Sequence, residues 1–221
     1  MNYIFSIIEP NSLHALSEIC EKANLPLNVA SHAKGTAVQS MLDLLGIESN
    51  ERRIVFTIAD SEKTQELISQ LKRKLHIGVP GHGIVIAVPI KSIGGGKTLN
   101  YLKGDESSAK YTPQINPAYE LITVIANEGA TDSVMNAARA AGARGGTVIH
   151  GKGTGAKGAS KFYNVSIASE KEIILIVSSS ELKAEIMRSI LKSAGPDTES
   201  GAIVFSVPVT EVAGFGFFDE D

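Results

Sequence analysis

A single cysteine, Cys20, stands in the 221 residues, so no intrachain disulfide can form. It falls on an apolar helical pattern and reads as a buried thiol, the usual place for an unpaired cysteine. There is also little charge of either sign in excess: the net charge is −3 and the pI is near 6.0, which excludes broad electrostatic attraction to nucleic acid or an anionic membrane. No run approaches the ~18 apolar residues of a membrane span. The opening Met1-Asn2-Tyr3-Ile4-Phe5-Ser6 enters a strand pattern directly, without a basic leader segment. The cytoplasm is the expected location. What is present is an apolar content of 43% against 20% charged residues, the balance of a soluble globular chain long enough for two cores.

Within that ordinary composition the chain repeats itself. His32, Lys34, Gly35 and Thr36 recur as His150, Lys152, Gly153 and Thr154, an offset of 118 residues from His32 to His150. The same offset carries Tyr3–Ile8 onto Leu121–Ala126 and Ile54–Ile58 onto Glu172–Ile176. One inserted residue later, Ile84–Pro89 reads against Ile203–Pro208. The chain is therefore expected to hold two copies of one domain. The boundaries are 1–93 for copy one, 94–117 for a linker, 118–216 for copy two and 217–221 for an acidic tail.

Each copy spells βαββαβ. In copy one the strands are Tyr3–Ile8, Leu27–His32, Ile54–Ile58 and Ile84–Val88. A helix capped by Asn11 or Ser12 buries Leu13, Leu16, Ile19 and Cys20. A second, capped by Ser61, buries Leu67, Ile68, Leu71 and Leu75. In copy two the strands are Leu121–Ala126, Thr147–His150, Ile173–Val177 and Ile203–Val207. Thr131 is expected to cap a helix with Val134, Ala138 and Ala141 inward, which Gly142 ends in left-handed geometry. The next helix carries Leu182, Ile186, Ile190 and Leu191. The fold class is α+β, two tandem ferredoxin-like domains. Right-handed crossovers put both helices of a copy on one sheet face, and the other apolar face must be covered by a further copy or chain.

The copies diverge after their second strands. Copy one has the apolar helical spacing Ala37, Val38, Met41, Leu42, Leu44 and Leu45, suited to packing. Copy two has Gly153-Thr154-Gly155-Ala156-Lys157-Gly158-Ala159-Ser160-Lys161, which reads either as a solvated loop tip or as a loop whose amides and two lysines hold an anion. In Gly94-Gly95-Gly96-Lys97-Thr98, Lys91 stands where a phosphate loop needs its first glycine and no helix pattern follows, so it is not read as one.

The segment Gly142-Ala143-Arg144-Gly145-Gly146-Thr147-Val148-Ile149-His150-Gly151-Lys152-Gly153-Thr154-Gly155, with Gly201–Val209 further on, resembles the P-II nitrogen-regulatory superfamily. Repeat two is similar along most of its length, and repeat one in pattern. The resemblance implies a non-catalytic signalling protein and enzyme regulator built from ferredoxin-like subunits, with a homo-oligomer, first of all a trimer, and a protein target as partners. It implies ATP or ADP as the ligand to consider, bound near the turn after the second strand and the base of a long loop. The ligand-binding residues so indicated are His150, Gly151, Lys152, Gly153, Thr154, Gly155, Lys157 and Gly158, with His32, Lys34, Gly35 and Thr36 as their counterparts. The loop before the last strand departs from the family pattern: Asp197 and Glu199 stand where positive charge would meet a phosphate. A structural or metal-binding oligomer without a nucleotide site is the alternative. No paired carboxylates or nucleophile–base set has the spacing of an enzyme's site, and neither a catalytic nor a metal residue is assigned.

Overall fold

The computed structural model describes residues 1–37, 49–90, 102, 115–152, 161–162, 165–166 and 170–215. In chain order its elements are β1 (Asn2–Ile8), a 3-10 turn (Pro10–Ser12), α1 (Leu13–Lys22), β2 (Asn28–Gly35), β3 (Glu51–Ala59), α2 (Ser61–Leu75) and β4 (Gly83–Pro89). They continue with β5 (Tyr119–Asn127), α3 (Thr131–Ala140), β6 (Thr147–Lys152), β7 (Lys161–Phe162), β8 (Val165–Ser166), β9 (Glu170–Ser179), α4 (Ser180–Ala194), β10 (Ile203–Pro208) and β11 (Glu211–Ala213). The architecture is mixed α+β with antiparallel sheet. Two compact units divide it. One comprises Met1–His32, Gln39–Pro117 and Pro208–Asp221, the other Ala33–Val38 and Ala118–Val207.

In the first unit the strands run β2-β3-β1-β4, and β11 adds outside β4. The helix-facing residues of β1, Ile4 and Ile8, alternate with Tyr3, Phe5 and Ile7. Ile4 and Ile8 join Leu16, Ile19 and Cys20 of α1 and Leu67, Leu71 and Leu75 of α2 in one core, so both helices cover the same face. Each fully buried side chain of this size contributes about 1.5–3 kcal/mol. On the opposite face Tyr3, Phe5 and Phe56 form a ring cluster with centroids 4.7–5.7 Å apart, beside buried Ile7, Ile54 and Ile86. A polar triad ties the unit's edge together. The Asn2 amide donates to the Thr64 hydroxyl at 3.1 Å, and the Thr210 hydroxyl lies 3.2 Å from the Asn2 carbonyl oxygen. The Thr210 amide donates to the Ala87 carbonyl at 2.7 Å.

In the second unit the order is β10-β5-β9-β6. Ile122, Val124, Val134, Ala138, Ile174, Ile176, Ile186 and Ile190 share its core, again with both helices on one face. The other face carries Leu121, Leu175 and Val177, which are buried, and Ile203 and Phe205, which are 59% and 41% exposed. The Ser189 hydroxyl joins the helices by donating to the Ala137 carbonyl at 2.8 Å, and Lys183 meets Glu120 at 2.8 Å.

Several local expectations need correction. Asp60, not Ser61, caps α2, its carboxylate accepting from the Lys63 amide at 2.9 Å. The Ser12 side chain makes no capping bond, because a 3-10 turn already leads the chain into α1. In α4 the buried residues are Ile186, Ile190 and Ala194, while Leu182 and Leu191 are 42% and 45% exposed. β11 was not foreseen: three residues beyond a proline give no periodicity to detect. The extra residue separating the repeats also lies earlier than expected. Asn2 pairs with Ala59 and its counterpart Glu120 with Ser178, so Ile54 corresponds to Ile173 rather than to Glu172. In a strand a slip of one residue exchanges the two faces. The expected helix over 37–45 lies outside the described residues from Val38 onward, as do Gly94-Gly95-Gly96-Lys97-Thr98 and the tail 217–221.

Cys20 is fully buried, and desolvation raises its thiol from 9.0 to about 11, partly opposed by a hydrogen bond with Thr57. The unfolded thiol ionises first as pH rises, so folding stability is undiminished below pH 9 and falls between 9 and 11. Urea unfolding should show the native chain losing roughly 2–3 kcal/mol more than Cys20→Ala across that window. Equal slopes for the two proteins would contradict this.

Candidate functional site

The second unit's β6 carries the turn that the sequence singles out. Gly146 precedes it at a crowded place: a Cβ there would lie 3.1 Å from the Leu175 carbonyl oxygen and from the Met135 sulfur, so a side chain requires its neighbours to give by a few tenths of an ångström. Residues 34–36 clip onto the start of the strand. Lys34 pairs with Val148 and Gly35 with Thr147. The Thr36 amide donates to the Gly146 carbonyl at 3.0 Å, and the Gly146 amide returns a 2.8 Å bond to the Thr36 hydroxyl. Arg139, from the last turn of α3, donates to the Thr36 carbonyl. Gly35 and Thr36, expected as a second binding turn, are therefore engaged in strand pairing. Lys34 is exposed beside them, and His32 is exposed on β2.

At its far end β6 presents His150, Gly151 and Lys152 in register with Glu172, Lys171 and Glu170 of β9. His150 is exposed, and nothing lies within 4 Å of a Cβ built on Gly151, so this glycine leaves open space rather than a tight turn. The strand thus delivers the backbone of Lys152 to the root of the following loop. Gly153, Thr154, Gly155, Lys157 and Gly158 lie outside the described residues.

Next to His150 in register, the Glu172 carboxylate is buried and does work no side chain of α3 does for itself. The position before α3 is Ala130, which has no capping atom, and Thr131 is the first helical residue rather than the cap. Glu172 instead reaches across from β9. It accepts from the Gly129 amide at 3.0 Å, the Thr131 amide at 2.8 Å and the Thr131 hydroxyl at 2.7 Å. A carboxylate at a helix N-terminus satisfies unpaired amides and meets the positive end of the helix dipole. The sequence held one trace of this, an acidic residue entering the apolar run Ile173–Val177.

Beside the same turn lies an open cleft of about 470 Å³, within the span of small-molecule sites. Glu128, Gly129, Ala130 and Ser133 form one wall, and Ser193, Thr198, Glu199 and Ser200 the other. Asn127 holds the walls together: its side-chain amide donates to the Glu199 carbonyl at 2.8 Å and its backbone amide to the Ser200 carbonyl at 2.9 Å. Lys171 donates to the Asn127 side-chain oxygen. The helix amides that an anion would use already bind Glu172, and both other charges in the lining are negative. This cleft is not built for a phosphate. Among the described residues no three His, Cys, Asp or Glu side chains gather in metal-binding geometry.

Comparison with known proteins gives one family match. Residues 119–215 match the family model described as nitrogen regulatory protein P-II. No curated protein matches the chain.

Replacing Glu172 by alanine removes the acceptor for two amides and a hydroxyl. Urea denaturation of Glu172→Ala should register a loss of about 1–3 kcal/mol, with a smaller loss for Glu172→Gln, which keeps an oxygen acceptor. Unchanged stability in both variants would show that water replaces the carboxylate without cost.

Proposed function

We propose, for a chain that belongs through residues 119–215 to the P-II superfamily, a non-catalytic regulator whose response to a small anion is carried by the loop that leaves β6. Regulatory signalling follows from the family, whose members are typically trimeric and act on protein targets. The finer reading concerns the ligand, for which an adenine nucleotide is the first candidate. Its sites are His150, Gly151, Lys152, Gly153, Thr154, Gly155, Lys157 and Gly158. The single observation carrying it is the place of Lys152 at the end of a strand fixed along both edges, by β9 on one side and by residues 34–36 on the other. A loop rooted on such a strand can be ordered by a ligand without moving its base, and differential affinity for the ordered state is what regulation requires.

The acidic cleft between Glu128 and Glu199 restricts where that ligand sits. Phosphate groups are directed toward Lys152 and Lys157 and away from the loop before β10. In this reading the chain is two copies of one P-II-like domain, and copy one lacks an equivalent free site, since Gly35 and Thr36 are used in pairing. Its partners are further copies of itself and a protein target. A purely structural oligomer is the second reading, favoured by the exposure of Ile203 and Phe205.

Isothermal calorimetry with ATP, ADP, AMP and cyclic nucleotides separates the two. Binding of at least one, weakened roughly ten- to a hundredfold by Lys152→Ala, is the expected result for a charge-assisted contact. Absence of heat with every nucleotide sinks the nucleotide reading and leaves the structural one.

A further inference from the structure

The turn between α2 and β4 of the first unit holds two of the chain's five histidines. His76 is the C-cap of α2 and adopts left-handed backbone geometry, φ +53°, with its amide bonded to the Leu71 carbonyl. Glycine or asparagine is the usual residue in that geometry. The corresponding C-cap of α4 is Gly195, and at the offset of 119 that relates Val88 to Val207, Gly201 stands in place of His82. Two successive turns bend the chain back. The Val79 amide donates to the His76 carbonyl at 3.0 Å, and the His82 amide donates to the Val79 carbonyl at 3.1 Å. Gly83 closes the bend against β1, where a Cβ would come within 2.2 Å of the Ile7 carbonyl oxygen. The rings of His76 and His82 thereby meet edge to face, with centroids 5.8 Å apart.

Neither ring is committed elsewhere. Among the described residues no hydrogen bond or ion pair engages either imidazole, and His76 is exposed while His82 is partly buried. Two imidazole nitrogens about 2.0–2.1 Å from a shared ion place their ring centres roughly 4.5–6 Å apart, a range that includes this pair. The surroundings then select the ion. Among the described residues no carboxylate joins the two histidines in a group of three, so Mg²⁺ and Ca²⁺, which take oxygen ligands, have nothing to hold them. Lys72, Arg73 and Lys74 occupy the last turn of α2. Arg52 donates to the Gly81 carbonyl at 3.3 Å, and its charge is met by Glu9. Such neighbours repel an ion held by charge alone. An ion that bonds strongly to neutral imidazole is favoured instead, and among divalent first-row metals that affinity is greatest for Cu²⁺.

We propose that His76 and His82 form a two-nitrogen site for a late first-row transition ion, Cu²⁺ above all, with water in the remaining positions. The ion ties the end of α2 to the residue that leads into β4, across a turn already closed by its own hydrogen bonds. Both ligands come from one turn of one chain, so the site needs no second copy. It is also independent of any ligand of the loop that follows β6. Cys20 is fully buried and offers no competing thiol.

Equilibrium dialysis of the full chain against Cu²⁺, with electron paramagnetic resonance of the bound ion, tests the site. One ion per chain is expected, with two imidazole nitrogens in its spectrum. His76→Asn keeps a residue that tolerates left-handed geometry, and His82→Ala removes the other ligand. Each should weaken uptake roughly tenfold or more, since losing a ligand costs at least as much as losing a ligand's hydrogen-bond partner. A protein carrying His14→Ala, His32→Ala and His150→Ala together should bind as the native chain does, and excess Mg²⁺ should displace nothing. Uptake that is unchanged in either single variant, or lost in the combined one, overturns the site. So does a native chain that takes up no Cu²⁺. Displacement by Mg²⁺ reveals an ion held by charge and overturns the imidazole pair as its ligands.

Discussion

Two helices placed on the same side of a four-stranded sheet impose the central constraint on this protein. In each unit the crossovers bury one row of alternating side chains and leave the other row to be dealt with separately. In the first unit the second row is an aromatic cluster with buried isoleucines. In the second it ends in Ile203 and Phe205, which remain open. Apolar residues in such number on one face are costly in water, and association is the physical remedy. Trimer formation in the P-II family is one solution to the same problem.

Charge is the second organising influence. The second unit directs a buried carboxylate, Glu172, into the amides at the start of α3. The unit closes its helix end internally and surrounds the adjoining cleft with Glu128 and Glu199. Negative charge on both sides of a cleft disfavours an anion there, and repulsion of this kind is a means of selectivity.

Much of this was legible in the sequence, for identifiable reasons. The strand Ile54–Ile58 follows from its continuous apolar run and the helix of Leu67 and Leu71 from periodicity, and Ile54, Val55, Leu67 and Leu71 are all buried. Gly142, expected to end α3 in left-handed geometry, has φ +96°. What escaped depends on partners distant in the chain. Glu172 caps a helix that begins 41 residues before it, so Thr131 was credited with its role. Thr36 was assigned to a binding turn because its neighbourhood matched that of Thr154, yet its hydrogen bonds go to Gly146, 110 residues away. The one-residue misplacement in β9 arose because a run of Ile and Val aligns almost equally well in either register, and only cross-strand pairing distinguishes them.

The position of β11 bears on how the chain is made. Glu211–Ala213 complete the sheet of the unit that begins at Met1, and Thr210 closes its hydrogen bonds to Asn2 and Ala87. On a ribosome the unit that holds β1 and β4 therefore cannot acquire β11 until residues 118–213 have also been translated. Until then the edge of β4 lacks β11, and an unpaired strand edge is a template for association with other chains.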